Sequence, residues 1–286
     1  MLCACIDIGT NTTRVLVAEA HGGQVTEVLQ QRVFTRIGHG LKTGAEIPRA
    51  KIEEVARVVA DQVALAEKLG ADPIRVVATS AIRGAANRAE FCAAMDVDVA
   101  ILDGDEEARL AFLGATRTLG HDLPGRIGVV DVGGGSTEIA LGTLATGVEW
   151  SSSFAVGSGF LADHYLRSDP PAAAELHAVR EHAAGAFEGL DLAHPDWAVA
   201  VGGSAASLRR LVGAVLEPET LQRALRVLSG APVADVARRF ALDPERVRLL
   251  PAGMLVLDAA SHRLGRPLQI GKGGLREGVL LELARG

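Results

Sequence analysis

The sequence is poor in cysteine and in aromatic residues, and both shortages limit what the fold can be. Three Cys residues in a chain of 286 are too few for a disulfide framework. Cys3 and Cys5 lie in an apolar opening segment without the spacing of zinc ligands, so we expect them to pack in the core. Aromatic residues make up 3% of the chain, so the core must be built from Ala, Val, Leu and Ile.

Long apolar runs and an excess of positive charge are also missing. No stretch approaches the roughly 20 apolar residues of a membrane span. The N-terminal segment lacks a charged region followed by an apolar one, which predicts a cytoplasmic protein. The formal net charge of −6 provides no global positive field for nucleic acid or membranes. A phosphate-chain ligand would therefore require a local basic patch or a divalent cation.

Lysine is scarce, because only four of the 29 basic residues are Lys and the rest are Arg. Arg suits phosphate recognition, since its planar guanidinium matches the oxygens of a phosphate group. The same bias also results from a coding preference for Ala and Arg. Of these two explanations we favour the coding preference.

Strand-like and helix-like segments alternate along the chain, which predicts an α/β fold. The clearest helix spans 48–69, where Pro48 suits the first turn, Gly70 suits the end, and Val55 and Val59 recur at helical spacing. The predicted strands are 2–8, 14–20, 24–34, 74–80, 98–104, 127–132, 137–142, 148–156 and 197–203. The other predicted helices are near 85–95, 105–119, 172–188 and 204–214, with a last one after Gly274.

A short sequence pattern occurs twice in the chain, and we call this repetition the internal echo. Residues 6–17 read IDIGTNTTRVLV and residues 130–141 read VDVGGGSTEIAL. Both have an apolar residue, Asp, an apolar residue and Gly, then small or hydroxyl residues, then an apolar strand. The separation is much longer than one repeat of a solenoid. The echo therefore predicts two similar α/β lobes, each opening with a strand–loop–strand hairpin.

Such a hairpin has a simple chemistry. A turn rich in Gly, Ser and Thr presents several backbone N–H groups to one anion, and glycine permits positive φ and a close approach of the ligand. Asp7 and Asp131 each stand at a strand end beside a loop, where a carboxylate can hold Mg²⁺ directly or through water. Ordinary tight hairpins with capping hydroxyls share these features, but the occurrence of a pair favours phosphate binding.

At this point the sequence resembles a known family, that of exopolyphosphatases and guanosine pentaphosphate phosphohydrolases in the actin–hexokinase–Hsp70 superfamily. The segments that carry the resemblance follow the family order: IDIGTNTTRVLV, ATSAIRGAANRAEF, GDEEARLAFLGA, VVDVGGGSTEIALG, VGGSAASLRRL and GGLREGVLLE. The resemblance implies two actin-like (ribonuclease H-like) lobes with an interlobe cleft. The first lobe would span 1–117, completed by a helix at about 275–286, and the second would span 118–274.

The resemblance also implies roles for individual residues. The first phosphate loop would consist of Asp7, Gly9, Thr10, Asn11 and Thr12, and the second of Gly133, Gly134, Gly135 and Ser136. Arg83, in the ATSAIR segment, would contact phosphate. The alternative is an arginine on the surface at a helix start, but the polar cluster of Thr79, Ser80 and Asn87 around it favours a functional role.

Hydrolysis of a terminal phosphoanhydride needs a water molecule placed in line and a carboxylate to orient or deprotonate it. Glu106 and Glu107 are adjacent on a predicted helix and point about 100° apart, so only one can face a cleft. The resemblance assigns the catalytic role to Glu107. Acidic residues are also common in a first helical turn because they complement the helix dipole. Glu138, in the GGGSTE segment, is a second acidic candidate that would act on water or metal.

Three further residues are candidates for substrate contact. Gly203 and Ser204 lie between a strand and a helix, which suits anion binding at a helix N-terminus but equally suits packing or capping. Lys272 stands where the family often has an acidic residue and would add a basic contact. The sequence also departs from the family at 158–160, where Ser-Gly-Phe replaces a Val-Arg type of pair. Longer members carry C-terminal helical domains, which we expect to be absent here.

The sequence therefore predicts an Mg²⁺-dependent exopolyphosphatase that releases orthophosphate from polyphosphate. Guanosine pentaphosphate 5′-phosphohydrolase is the alternative enzyme. A kinase of the same superfamily would need an acceptor pocket, and the EEAR and ATSAIR segments argue against it. A non-catalytic binder of polyphosphate or nucleotide, or an actin-like assembling protein, remains open as a different class. Homodimerisation is an expectation from the family, and no nucleic-acid or membrane partner is expected.

Overall fold

The computed structural model describes residues 1–42 and 44–285, which form two compact α/β units. The first unit comprises 1–120 together with 273–286, and the second comprises 121–272. Each unit is built on one β-sheet. Among the described residues, no helix is both long enough and apolar enough to cross a bilayer.

The elements are numbered in chain order across both units. The strands are β1 (Leu2–Ile8), β2 (Thr13–His21), β3 (Gln24–Val33), β4 (Ile74–Ala78), β5 (Val99–Ile101), β6 (Ile127–Val132), β7 (Thr137–Thr143), β8 (Gly147–Phe154), β9 (Trp197–Val201), β10 (Val215–Leu216) and β11 (Leu268–Ile270). The helices are α1 (Arg49–Lys68), α2 (Ser80–Arg83), α3 (Arg88–Ala93), α4 (Gly104–Arg117), α5 (Ser158–Tyr165), α6 (Ala173–Ala186), α7 (Gly202–Val212), α8 (Pro218–Ser229), α9 (Val233–Phe240), α10 (Pro244–Leu264) and α11 (Leu275–Leu283).

The sheet of the first unit has the order β3-β2-β1-β4-β5. The hairpin strands β1, β2 and β3 are antiparallel, whereas β4 and β5 run parallel to β1. Side chains of β1 alternate between the two faces. Ile6 and Ile8 join a core with α1, while Cys3 and Cys5 join a second core with α4 and α11. Both cysteines are buried free thiols, as the sequence predicted for core packing.

Helices α4 and α11 pack at unusually short range in the first unit. A Cβ added to Gly114 would lie 1.9 Å from the carbonyl oxygen of Gly274, and one added to Gly278 would lie 2.0 Å from that of Leu110. The backbones therefore touch with no side chain between them. Arg109 of α4 also forms an ion pair with Glu282 of α11 at 2.5 Å. This contact with α11 fixes the position of α4.

The sheet of the second unit has the order β10-β11-β9-β6-β7-β8. Its hairpin strands β6, β7 and β8 are antiparallel, and β9 and β11 run parallel to β6. The buried helix α10 contacts every other helix from α5 to α9 and fills one core with them. Each unit thus joins an antiparallel three-stranded meander to parallel strands. The predicted α/β class and the two similar lobes are confirmed.

Several elements differ from the predicted ones. The predicted strand over 74–80 ends at Ala78, because Ser80 already begins a short helix. Nothing was predicted for 215–272, where the structure has β10, β11 and three helices. Helix α10 is buried on most of its surface and contains Pro251, so it lacks the apolar stripe that marks a helix at the surface.

Glu175, in the first turn of α6, carries a pH-dependent part of the stability. Its carboxylate accepts hydrogen bonds from the backbone N–H of Ala172 at 2.9 Å and from the hydroxyl of Ser168 at 2.8 Å. These bonds lower the pKa of Glu175. A lowered pKa stabilises the folded state above the unfolded value of about 4.3, and the stabilisation is lost as pH falls through the folded value.

We therefore expect Glu175→Gln to lower the free energy of unfolding at neutral pH by less than about 1 kcal/mol, because the group is exposed. The difference from the parent protein should shrink as pH falls below about 4. Urea unfolding at several pH values measures it. Glu181→Gln, at an exposed position on the same helix, is the control, and an equal or pH-independent loss in both variants would contradict the assignment.

Candidate functional site

The first hairpin loop, between β1 and β2, contains the predicted residues Gly9 to Thr12. The backbone N–H of Gly9 donates to the carbonyl of Thr12 at 3.0 Å and closes the turn. The N–H groups of Gly38 and Arg36 then donate to the carbonyls of Thr10 and Asn11, at 2.9 and 3.0 Å. Residues 36–38 therefore cover the carbonyl side of the loop.

This arrangement sets the direction of the loop N–H groups. In a trans peptide the C=O and the following N–H point in opposite directions. Since the carbonyls of Thr10 and Asn11 are bonded to residues 36–38, the N–H groups of Asn11 and Thr12 point the other way. Neither N–H donates a hydrogen bond to any residue within 1–42 and 44–285. The loop is thus prepared to bind an anion on its open side.

The second loop, between β6 and β7, is built in the same way. The N–H of Gly133 donates to the carbonyl of Ser136 at 2.9 Å. The first N–H groups of α5, from Ser158, Gly159 and Phe160, donate to the carbonyls of Gly133 and Gly134 at 2.9 to 3.0 Å. The N–H groups of Gly134 and Gly135 consequently point away from α5, and they donate to no described residue.

Gly157 makes this support possible. A Cβ at position 157 would lie 2.5 Å from the carbonyl oxygen of Gly134 and 2.6 Å from the nitrogen of Gly135. Only glycine allows the start of α5 to come so close to the loop. The glycine that the sequence keeps before the unusual Ser-Gly-Phe segment therefore has a structural reason.

The two hairpins differ in the charge opposite the aspartate. Asp7 of β1 is paired with Arg14 of β2, whereas Asp131 of β6 is paired with Glu138 of β7. Directly opposed residues of an antiparallel pair lie on one face of the sheet, so the second unit brings two carboxylates together. Glu138 is 2% exposed and accepts a hydrogen bond from the Ser153 hydroxyl at 2.7 Å. Like charges in this position favour a cation or a shared proton.

Asp7 has the character of a cation ligand. Its Oδ1 atom is buried without a hydrogen-bond partner. Burial raises the pKa of the Asp7 carboxyl, and the nearby Arg276 and Arg14 guanidinium groups oppose that rise. A buried carboxylate oxygen without a donor suits a divalent cation that supplies the missing positive charge.

The described residues contain no group of three or more His, Cys, Asp or Glu side chains around a common metal position. A cation at Asp7 would therefore complete its coordination with water and with phosphate oxygens of a ligand. Mg²⁺ is commonly bound in this way, through one or two carboxylates and substrate phosphates. The donor set thus fits Mg²⁺ better than a metal that needs a full protein cage.

Asp7→Asn should abolish stabilisation of the protein by Mg²⁺ in the presence of a phosphate ligand. A ligand that binds only the folded state raises the unfolding temperature by an amount that grows with the ratio of its concentration to its Kd, and the neutral amide removes the anionic group that would bind Mg²⁺. Thermal unfolding with tripolyphosphate, with and without Mg²⁺, measures the shift. Asp61→Asn, exposed on α1, serves as the control. An unchanged Mg²⁺ response in Asp7→Asn would exclude Asp7 as a ligand.

Glu107 is the fourth residue of α4 and is 8% exposed. The Arg83 guanidinium holds it, because Nη1 of Arg83 donates to Glu107 Oε2 at 2.9 Å and to the Leu102 carbonyl at 2.8 Å. Asp103 caps the helix by accepting from the N–H of Glu106 at 2.8 Å. The carboxylate is therefore held by the Arg83 guanidinium, and it lies close to the capped N-terminus of α4.

Arg83 was predicted to contact phosphate, and the structure shows that it also orients Glu107. Its remaining guanidinium N–H groups donate to no described residue, so the same side chain can still donate to a phosphate oxygen. Glu106 points elsewhere, since both its oxygens accept from Arg109 at 2.9 and 3.0 Å. The adjacent glutamates thus occupy different environments.

The other predicted residues lie in the second unit. Gly203 and Ser204 are in the first turn of α7, where Ser204 is 1% exposed and its hydroxyl has no hydrogen-bond partner. Gly202, with φ of +86°, passes close to Asp131, because a Cβ there would lie 2.3 Å from Asp131 Oδ1. Lys272 is exposed after β11. The second unit therefore gathers Asp131, its loop and the start of α7.

Sequence reasoning did not single out Arg14, Arg276 or Asp103. Arg14 and Arg276 supply the positive charge around Asp7, and Asp103 caps the helix of Glu107. Both arginines lie inside segments that carried the family resemblance, IDIGTNTTRVLV and GGLREGVLLE. A four-residue loop from Gly9 to Thr12 pairs Ile8 with Thr13, and it therefore pairs Asp7 with Arg14. This pairing could have been predicted from the sequence.

Comparison with known proteins gives a consistent result. A family model described as the Ppx/GppA phosphatase family matches residues 16–285. Exopolyphosphatase 1 of Mycobacterium tuberculosis is 28% identical over 298 residues, which cover 96% of this chain and 86% of that protein. Guanosine-5′-triphosphate,3′-diphosphate pyrophosphatase of Aeromonas hydrophila is 29% identical over 308 residues, which cover 99% and 59%. The crystal structure of the Aquifex aeolicus member of the Ppx/GppA family has 25% identity and a TM-score of 0.82, covering 100% of this chain and 98% of that one.

Proposed function

The chain belongs to the Ppx/GppA phosphatase family, and from that membership we propose that it is an exopolyphosphatase. It would hydrolyse the terminal phosphoanhydride bond of inorganic polyphosphate and release orthophosphate. Relatives that bear the name exopolyphosphatase support this substrate. The reaction needs a site for the terminal phosphoryl group and a carboxylate for the attacking water, and each unit of the chain offers part of this chemistry.

The observation that carries the proposal is the environment of Glu107. A buried carboxylate held by Arg83 at 2.9 Å is fixed in position, and a carboxylate is a group that can accept a proton from water. In this position the Glu107 carboxylate would orient the attacking water. The proton would pass from that water to Glu107 as the new P–O bond forms and the bond to the next phosphate breaks.

The loops provide the binding part of the proposed reaction. The N–H groups of Asn11 and Thr12 in one unit, and of Gly134 and Gly135 in the other, would donate to phosphate oxygens. Positioning and charge stabilisation supply most of the acceleration of phosphoryl transfer. A divalent cation, Mg²⁺ in this proposal, would neutralise phosphate charge when bound at Asp7 or Asp131. Gly203, Ser204 and Lys272 are proposed as further substrate contacts, and Glu138 as a second acidic group acting on water or metal.

A second candidate is hydrolysis of guanosine pentaphosphate at its 5′ end. It is favoured by the similarity to the A. hydrophila protein, which bears the name of that activity. Both substrates end in a phosphoanhydride, so the same residues would act on either. The difference would lie in contacts beyond the terminal phosphates.

One experiment tests the proposal against its alternatives. Phosphate release is measured from short and long polyphosphate, guanosine pentaphosphate and ATP, each with and without Mg²⁺. An exopolyphosphatase should release orthophosphate from polyphosphate only with the cation. Preferential release from guanosine pentaphosphate would support the second candidate, and binding of all four ligands without any release would exclude an enzyme of this class.

A further inference from the structure

A cavity in the second unit lies between α6, α8 and α10, and none of its lining residues belongs to the second loop. Its volume is about 190 Å³. Side chains of Leu221, Leu225, Met254 and Leu255 form an apolar interior. An apolar cavity of about 150 Å³ is large enough to bind benzene in another protein. The cavity therefore has room for one six-membered ring or an apolar chain of similar size.

The mouth of the cavity carries charged side chains. His262 is tied to its own helix, since its Nδ1 bonds the carbonyl of Asp258 at 2.8 Å and lies 3.6 Å from the Asp258 carboxylate. Arg180 of α6 is exposed and makes no hydrogen bond or ion pair with any residue in the described parts of the chain. The Asp258 carboxylate thus lies beside the His262 imidazole, whereas the guanidinium of Arg180 is free for a ligand.

We propose that this cavity binds a small monocarboxylate whose apolar body has about the size of a benzene ring. The ring occupies the space against Leu225 and Met254, and the carboxylate accepts hydrogen bonds from Arg180. A guanidinium pairs with a carboxylate through two parallel N–H donors, which gives the charge a directional role. The argument for this site does not rest on the proposed phosphoanhydride hydrolysis.

Helix α10 connects the cavity with the second loop. Gly253 precedes the cavity residue Met254, and a Cβ at Gly253 would lie 2.2 Å from the Ser204 hydroxyl oxygen and 3.2 Å from the Ser158 Cβ. The Ser158 hydroxyl in turn donates to the Gly133 carbonyl at 3.0 Å. A ligand in contact with Met254 therefore lies one residue along α10 from Gly253, which packs against Ser158, a support of the loop.

Methyl NMR can test the site directly, because the chain has only three methionines, Met1, Met95 and Met254. Benzoate should shift the Met254 methyl signal in a saturable way and leave that of Met95, in the core of the first unit, unchanged. Benzamide has the same shape without the charge and should bind about two- to fivefold more weakly, as expected for loss of an ion pair with an exposed arginine. Saturating benzoate should also shift the amide signals of Gly134 and Gly135.

Two variants separate the parts of the proposal. Arg180→Gln should reduce benzoate affinity to that of benzamide, whereas Arg223→Gln on α8, outside the cavity, should leave it unchanged. Leu225→Phe should fill the space and prevent binding of both ligands while the protein keeps its unfolding temperature within a few degrees. Absence of saturable shifts at Met254, or equal binding of benzoate and benzamide, would overturn the site. Shifts at Met254 without any at Gly134 and Gly135 would overturn its connection to the loop.

Discussion

Glu107→Gln is expected to lower the turnover of polyphosphate by a factor of about 10² to 10⁴ while leaving the affinity for polyphosphate nearly unchanged. The amide keeps the size of the side chain and still accepts a hydrogen bond from Arg83. It cannot accept a proton from water, so the step that forms the new P–O bond loses its base. Initial rates of phosphate release and equilibrium binding of polyphosphate measure the two effects separately.

Glu106→Gln is the matched control for this substitution. Glu106 precedes Glu107 on the same helix, but both its oxygens accept from Arg109. Arg109 also pairs with Glu282 of α11, so Glu106 belongs to an ion-pair network that joins the two helices. We expect its loss to cost a little stability and to change turnover less than about twofold, because surface ion pairs contribute up to about 1 kcal/mol. Near-normal phosphate release by Glu107→Gln, or an equal loss in both variants, would remove Glu107 from the mechanism.

The hairpins could be predicted from the sequence because their information is local. The pattern of Asp, an apolar residue and Gly followed by hydroxyl residues fixes the strand end, the turn and the candidate ligands within a dozen positions. The structure adds the same closing hydrogen bond in both loops, from Gly9 to Thr12 and from Gly133 to Ser136. The local sequence therefore predicts the loop. Its length also fixes the strand register that pairs Asp131 with Glu138.

The supports of the loops could not be predicted, because they come from distant segments. Residues 36–38 and the start of α5 hold the loop carbonyls and thereby direct the N–H groups, but no sequence motif links either segment to its loop. The pairing of Arg83 with Glu107 joins two helices and is equally non-local. Helix α10 was missed for a different reason, because burial on most sides removes the apolar stripe from which helices are recognised.

The contact between α4 and α11 shows how a remote glycine positions the candidate catalytic carboxylate. Helix α4 begins with the turn that carries Glu107 and reaches α11 at Gly114, where the helices touch through backbone atoms. A side chain at this crossing cannot be accommodated by rotamer changes, because the nearest atoms belong to the main chain. Any substitution must therefore move one helix relative to the other.

Gly278→Ala is accordingly expected to destabilise the protein by at least about 3 kcal/mol, at the upper end of the range for overpacked sites. Its new Cβ would lie 2.0 Å from the carbonyl oxygen of Leu110 and 2.7 Å from the carbonyl carbon. Denaturant unfolding gives the change in free energy, and phosphate release from the folded fraction should fall as α4 shifts. Gly185→Ala is the matched control, since Gly185 lies in the helix α6 with no atom within 4 Å of the added Cβ. Because Gly185 is the second-last residue of α6, that variant should change the stability by less than about 1 kcal/mol, so similar stabilities of the two variants would show that α4 and α11 can separate without cost.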